Sequence, residues 1–371
     1  MKFRTERDGL LEALVTAGRA AGSRSGGMGS PSIQLSLRGN QLEVTGSDPD
    51  LVIDVRTSVA GEADGVTLAP SRLLGDIVRA LEPGTVGVVA DDDEVRISSG
   101  RAEFVVRVPV GAEISRLSQL DGESITLPAA RFAEGLRQVV RAALTDDTRA
   151  PQLTGVLMVA TESGMRLVAT DSYRLALRDL EGLSALEPGA EVLVPARALT
   201  EIQRLVGSGA DDISLVFRHS ELDAVFEVGE VRLTTRLLRG PFPDYQRLLP
   251  PSYPYALTTG REEFAAALRR VRLMVRDAKD ATTPVRLTFS PEGAELTVLT
   301  AESGRAVERV DGHFSGDELT VAFNPSYLLD GIEAIRSETV FLQVIDASKP
   351  ATLRGEGEDE YSYLLMPVRV S

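Results

Sequence analysis

The chain has 371 residues, 43% of them apolar, with a formal net charge of −15, no cysteine and two histidines. Length and apolar content suit two or three domains with real cores, while the missing cysteines exclude disulfides, thiolate metal sites and cysteine nucleophiles, and two distant histidines argue against a histidine-built metal site or triad. No apolar run approaches the roughly 20 residues that span a bilayer, and Met1-Lys2-Phe3-Arg4-Thr5-Glu6 lacks a signal-peptide core, so a cytoplasmic protein without membrane association is expected.

The first predicted element is an amphipathic helix with Leu10, Leu14 and Ala17 on one stripe. A strand pair follows, from Ile33 through Leu42-Glu43-Val44-Thr45-Gly46-Ser47-Asp48, ending in an acid. After another apolar strand, Leu68-Ala69-Pro70-Ser71 signals a second helix, since proline suits a first turn whose amides lack partners. Alternating strands complete the unit. The same order then recurs: a helix with Phe132, Leu136 and Val139, a strand pair from Val156 to Leu167-Val168-Ala169-Thr170-Asp171, a helix start at Val194-Pro195-Ala196-Arg197, and strands such as Val225-Phe226-Glu227-Val228. It recurs again with Phe264, Leu268 and Val271, a strand pair from Val285 to Thr300-Ala301-Glu302, a helix start at Phe323-Asn324-Pro325-Ser326 with asparagine as cap, and Phe341-Leu342-Gln343-Val344. Three tandem similar domains with mixed helix and strand are expected, residues 1–120, 121–250 and 251–371, a period too long for a solenoid repeat. The acids Asp48, Asp171 and Glu302 share one repeat position at a strand end, which points to a turn-forming role.

Charge is unevenly placed. Acids crowd into turns and tails such as Asp91-Asp92-Asp93-Glu94 and Glu356-Gly357-Glu358-Asp359-Glu360, whereas arginines crowd onto helices. Arg72 with Arg79, and Arg197 with Arg204, lie seven apart on one helix face at equivalent repeat positions. Arg19 and Arg141 share a second repeat position, Arg137 and Arg269 a third, followed by Arg272, Arg276 and Lys279. In the third domain Ser326 and Glu333 break the second-helix pattern. For any one helix, a solvated face is the plain account. Repetition across domains instead suggests basic faces lining a common cavity, which would hold phosphates without reading bases while the acidic exterior repels DNA.

Four motifs carry a resemblance: Ala169-Thr170-Asp171-Ser172-Tyr173-Arg174-Leu175-Ala176, the stretch Gly240-Pro241-Phe242-Pro243-Asp244-Tyr245-Gln246-Arg247-Leu248-Leu249-Pro250, the helix start Phe323-Asn324-Pro325-Ser326-Tyr327-Leu328-Leu329-Asp330, and the ending Tyr363-Leu364-Leu365-Met366-Pro367-Val368-Arg369-Val370. In order and spacing, along the whole chain, the sequence resembles the bacterial DNA sliding clamps, the beta subunits of DNA polymerase III. That resemblance implies an α+β chain of three DNA-clamp domains, each with two helices packed on antiparallel sheets, closing as a head-to-tail homodimer ring around double-stranded DNA without sequence specificity. It implies a processivity factor with no catalytic residues, metal or cofactor, found in the cytoplasm with the nucleoid. Its expected partners are the polymerase alpha subunit, the clamp loader, other DNA polymerases, mismatch-repair proteins and ligase, all bound through short peptides.

By position, the resemblance implies a peptide pocket of Leu153, Thr170, Ser172, Tyr173, Arg174, Leu175, Pro243, Arg247, Leu248, Asn324, Tyr327, Leu364, Met366, Pro367 and Arg369. Leucine, methionine and proline would form apolar walls, with arginine and asparagine fixing the peptide backbone. Taken singly, Leu153, Leu175 and Leu248 read as core residues and Tyr327 as a helix-packing aromatic. DNA contacts are expected from Arg24, Arg72, Arg79, Arg137, Arg141, Arg149, Arg197, Arg204, Arg269, Arg272, Arg276 and Lys279. Phe104 and Val106, on an edge strand, are expected to meet Leu273 and Met274 of a second subunit.

Two other readings are distinguishable. A diverged clamp paralogue serving repair or inhibitor resistance would fit the Gly/Ser-rich stretch 22–30 and the rim Ala347-Ser348-Lys349-Pro350. An enzyme using Asp171, Tyr173 and Arg174 would need a nucleophile, base and orienting group together, and no such set accompanies them.

Overall fold

The structure is a computed structural model that describes the chain except for residues 23–30, 109–113, 115–116, 118–119, 121–123, 146–149, 208–213, 276–282, 301–303 and 370–371. Arg24, Arg149, Arg276, Lys279 and Glu302 therefore lie outside the described residues. Its contacts divide it into two compact units, Met1–Ala130 with Arg204–Leu237, and Arg131–Gln203 with Leu238–Ser371.

Among the described residues, six helices occupy the places that the apolar stripes and the helix-start signals indicate: α1 Arg7–Gly18, α2 Ser71–Ala80, α3 Ala129–Val139, α4 Ala196–Val206, α5 Arg261–Arg272 and α6 Pro325–Ala334. All nine stripe residues, Leu10, Leu14, Ala17, Phe132, Leu136, Val139, Phe264, Leu268 and Val271, are buried. Stability in helices this short comes from burying such a stripe rather than from propensity. Asn324 caps α6, its side chain accepting the Ser326 and Tyr327 amides at 2.9 and 3.2 Å, with Pro325 following as the first helical residue.

The first unit holds two antiparallel sheets. A five-stranded sheet runs in the order Ala60–Ala63, Lys2–Glu6, Thr85–Ala90, Glu94–Ser99, Ala102–Arg107, so Ala102–Arg107 is an edge strand. An eight-stranded sheet joins strands of two sequence repeats where Val231–Arg236 pairs with Leu51–Ser58, Val231 opposite Val55. α1 packs so closely on the strand Gln41–Ser47 that a Cβ at Gly46 would sit 1.8 Å from the Ala17 carbonyl oxygen. The second unit holds a twelve-stranded sheet, again shared by two repeats: Arg174–Glu181 pairs with Tyr361–Leu365, Arg174 opposite Leu365. That pairing brings the first and fourth resemblance motifs side by side.

Candidate peptide site and basic helix faces

The site in the second unit is built on one turn. At the end of the strand Gly164–Thr170, Asp171 Oδ1 accepts the Tyr173 and Arg174 amides at 2.9 and 3.0 Å and starts the strand Arg174–Glu181. Asp48, the equivalent acid of the first repeat, likewise accepts the Asp50 and Leu51 amides at 2.9 Å, as its turn-forming position implies. The Asp171 turn forces Ser172 to φ 76°, a left-handed conformation that side chains other than glycine rarely adopt, and leaves the Tyr173 side chain 64% exposed.

Arg174 is held by internal partners. Its Nε donates to Asp171 Oδ2 at 3.0 Å and its Nη1 to Asp330 Oδ2 at 2.5 Å and to the Tyr363 hydroxyl at 3.3 Å. The guanidinium also lies over the Tyr327 ring, and the Tyr363 hydroxyl donates to the Tyr327 carbonyl at 2.8 Å. A buried guanidinium with four such partners is a structural clamp that fixes the turn carrying Tyr173. Thr170 is buried in the same turn, its hydroxyl donating to the Arg174 carbonyl at 2.6 Å and accepting the Ser172 amide at 3.1 Å. The Asn324 acceptor oxygen is engaged in capping α6. Asp171 has both oxygens occupied by the turn and by Arg174, which leaves it poorly placed as a catalytic base. Burial first, then the Asp171 charge, raises the Tyr327 hydroxyl, so it stays protonated near neutral pH.

The apolar surface comes from other members. Leu175 and Leu364 are buried in a cluster with Leu157, Val168, Leu177, Leu193 and Tyr245, on which Phe242 and Leu249 pack half-buried. Around that core, Tyr173, Leu248 (46%) and Met366 (42%) keep large exposed side chains, and Pro243 is exposed. Met366 is held beside the turn by its amide, which donates to the Tyr173 carbonyl at 2.9 Å. Arg247 and Arg369 are exposed, Arg247 pairing with Asp244 at 2.8 Å, and Pro367 is half-buried. Leu153 is buried within Pro151–Thr154 and stands outside the cluster. Sequence reasoning did not single out Asp330 and Tyr363 as site residues, yet they fix Arg174; the three-residue step from Tyr327 to Asp330 on one helix was the available signal.

The arginines of the basic faces differ in exposure and in partners. The Arg72 side chain is 96% exposed, with Asp76 at 3.8 Å, and Arg79 pairs with Asp76 at 2.7 Å. Arg204 and Arg272 are exposed and Arg197 is half-buried. Arg137 donates to both Glu134 oxygens and to the Glu333 and Ala334 carbonyls at 3.1 and 2.8 Å, so it ties down the C-terminus of α6. Arg141 and Arg269 both bond Glu333. Of the expected subunit contacts, Phe104 (38%) and Leu273 (61%) are exposed and Met274 is half-buried, but Val106 is only 5% exposed. Val106 is thus already buried within the single chain. Among the described residues no helix is long and apolar enough to cross a membrane.

Repeated two-helix units on sheets that run from one repeat into the next define a chain of DNA-clamp domains. Models of the DNA polymerase III beta subunit match along the chain, the N-terminal domain at residues 1–117, the central domain at 126–244 and the C-terminal domain at 246–369. The beta sliding clamp of Streptomyces coelicolor is 34% identical over 381 residues and that of Staphylococcus aureus 28% over 385, the first alignment covering 100% of both chains and the second 100% of this chain and 99% of the relative. The crystal structure of the Bacillus subtilis DNA polymerase sliding clamp matches with a TM-score of 0.87 at 27% identity over 100% of both chains. The chain belongs to the DNA polymerase III beta subunit family. Its function is that of the DNA polymerase III processivity clamp.

Proposed function

We propose that two copies close head to tail into a ring around duplex DNA, with the arginine-bearing helix faces toward the phosphates and the Tyr173–Met366 surface binding short peptides of polymerases, the clamp loader and repair proteins. The observation that carries this reading is the three-domain match along the entire chain. Three domains at residues 1–120, 121–250 and 251–371 give a dimer six similar units. The exposed Leu273 and Phe104 side chains supply the apolar patches such a joint needs, and Arg72, Arg79, Arg197, Arg204, Arg269 and Arg272 supply a sequence-independent phosphate contact. Tethering by topology requires no chemistry, so the clamp acts without catalysis, in the cytoplasm on the nucleoid.

The test is retention after loading by a cognate loader. A closed ring stays on covalently closed plasmid and leaves a linear fragment by its ends; equal loss from both would sink the tether. Small-angle scattering supplies the second readout, with a hollow dimer-sized particle expected and a monomer at micromolar concentration counting against the ring.

A further inference from the structure

Where the first two repeats place Arg79 and Arg204, α6 places Glu333. Its Oε2 receives Arg141 Nη1 at 3.1 Å, and its Oε1 receives Arg269 Nη2 at 2.9 Å and Nε at 3.3 Å. One carboxylate thus holds guanidiniums from two separate segments, Val140–Ala142 and α5, in the way phosphate oxygens are gripped. The arrangement is fixed from behind, because Arg137 holds the Glu333 and Ala334 carbonyls, and Asp330, one turn earlier, lies 3.5 Å from Arg141. Partial burial would raise the Glu333 carboxyl, but the Arg269 and Arg141 hydrogen bonds outweigh it and hold the group below its ordinary range, hence fully charged near neutral pH.

We propose that Glu333 is an internal phosphate mimic: it occupies Arg141 and Arg269 until duplex DNA competes for them, and so weakens the clamp's hold on DNA at this point. The inference rests on the reading that these helix faces meet DNA. An arginine already neutralised by a carboxylate gives DNA a weaker phosphate contact and a smaller net release of counterions. A loosened grip of this kind favours movement along the duplex over stopping on it.

The experiment is direct binding of the full-length protein to a short fluorescein-labelled duplex, by anisotropy over a salt series. Glu333→Gln is expected to tighten binding on the order of threefold to tenfold at low salt and to steepen the log–log salt slope by about one to two. Arg141→Gln should weaken binding less in the wild-type background than in the Glu333→Gln background, where it should reverse the gain. Glu333→Ser, which removes the charge without leaving an amide, must give the same gain, and thermal melting of each variant reports its folding. Unchanged affinity and slope in both Glu333 variants, with Arg72→Glu still weakening binding, would overturn the mimic and leave the DNA-facing reading standing. If Arg72→Glu also has no effect, the DNA-facing reading falls with it.

Discussion

The Arg174 guanidinium carbon lies 4.2 Å from the centroid of the Tyr327 ring, linking residues from two sequence repeats. The same guanidinium bonds Asp171 three residues back along the chain and Asp330 on α6, so it crosslinks the turn that displays Tyr173 to the helix beside it. Arg174→Ala leaves Asp171, at 6% exposure, without its charge partner. A loss of about 3–5 kcal/mol is expected, read as a lowered urea midpoint. Arg174→Lys should recover little of it, because a point charge cannot bond two carboxylates and cover a ring at once.

Met366 is 42% exposed, so its truncation removes surface rather than core. Met366→Ala is expected to weaken a short partner peptide with apolar anchors by about 1–2 kcal/mol in calorimetry, with the melting temperature unchanged within a degree or so. A large stability loss without a change in peptide affinity would place Met366 in the fold instead of the site.

Phe104 and Val106 should separate sharply although they lie on one face of the same edge strand. Leu273→Glu and Phe104→Glu, at exposed positions, are expected to yield folded monomers in sedimentation equilibrium. Val106→Glu buries a charge in the domain's own core and is expected to unfold the N-terminal region, visible as lost far-ultraviolet dichroism.

Gly46 allows the helix α1 to reach the sheet. Gly46→Ala drives a methyl into the Ala17 carbonyl and is expected to cost about 3 kcal/mol in denaturant unfolding. Gly39→Ala makes a useful comparison: a Cβ there meets nothing, so any loss reports only its φ of +57°.

Asp54 supplies a pH dependence of defined sign. Burial raises its carboxyl above the ordinary 3.8, against the hydrogen bond it accepts from Thr45 at 2.7 Å, and the Glu43 charge adds to the rise. A folded pKa above the unfolded one means that Asp54 favours the folded state most below 3.8 and loses that contribution as pH rises through the folded value. Asp54→Asn is therefore expected to be more stable than wild type at pH 7, with the gap closing as the pH falls toward about 4. A gap that widens on acidification would reverse the assignment.

The sequence by itself determined the three-fold order of helices and strands, the buried stripes from Leu10 to Val271, the Asn324 cap and the turns at Asp48 and Asp171. Each depends on residues within a few positions of one another, where helical and strand periods and side-chain-to-amide bonds act. Only the tertiary structure decided that Arg174 is a clamp, since its partner Asp330 is 156 residues away, and that Arg137, Arg141 and Arg269 converge on α6. It also separated Phe104 from Val106, because strand alternation gives a face but not what covers it. Charge on a helix face is local and therefore legible in sequence, whereas whether that charge is open to a ligand or already held by a distant carboxylate depends on which segments folding brings within about 3 Å.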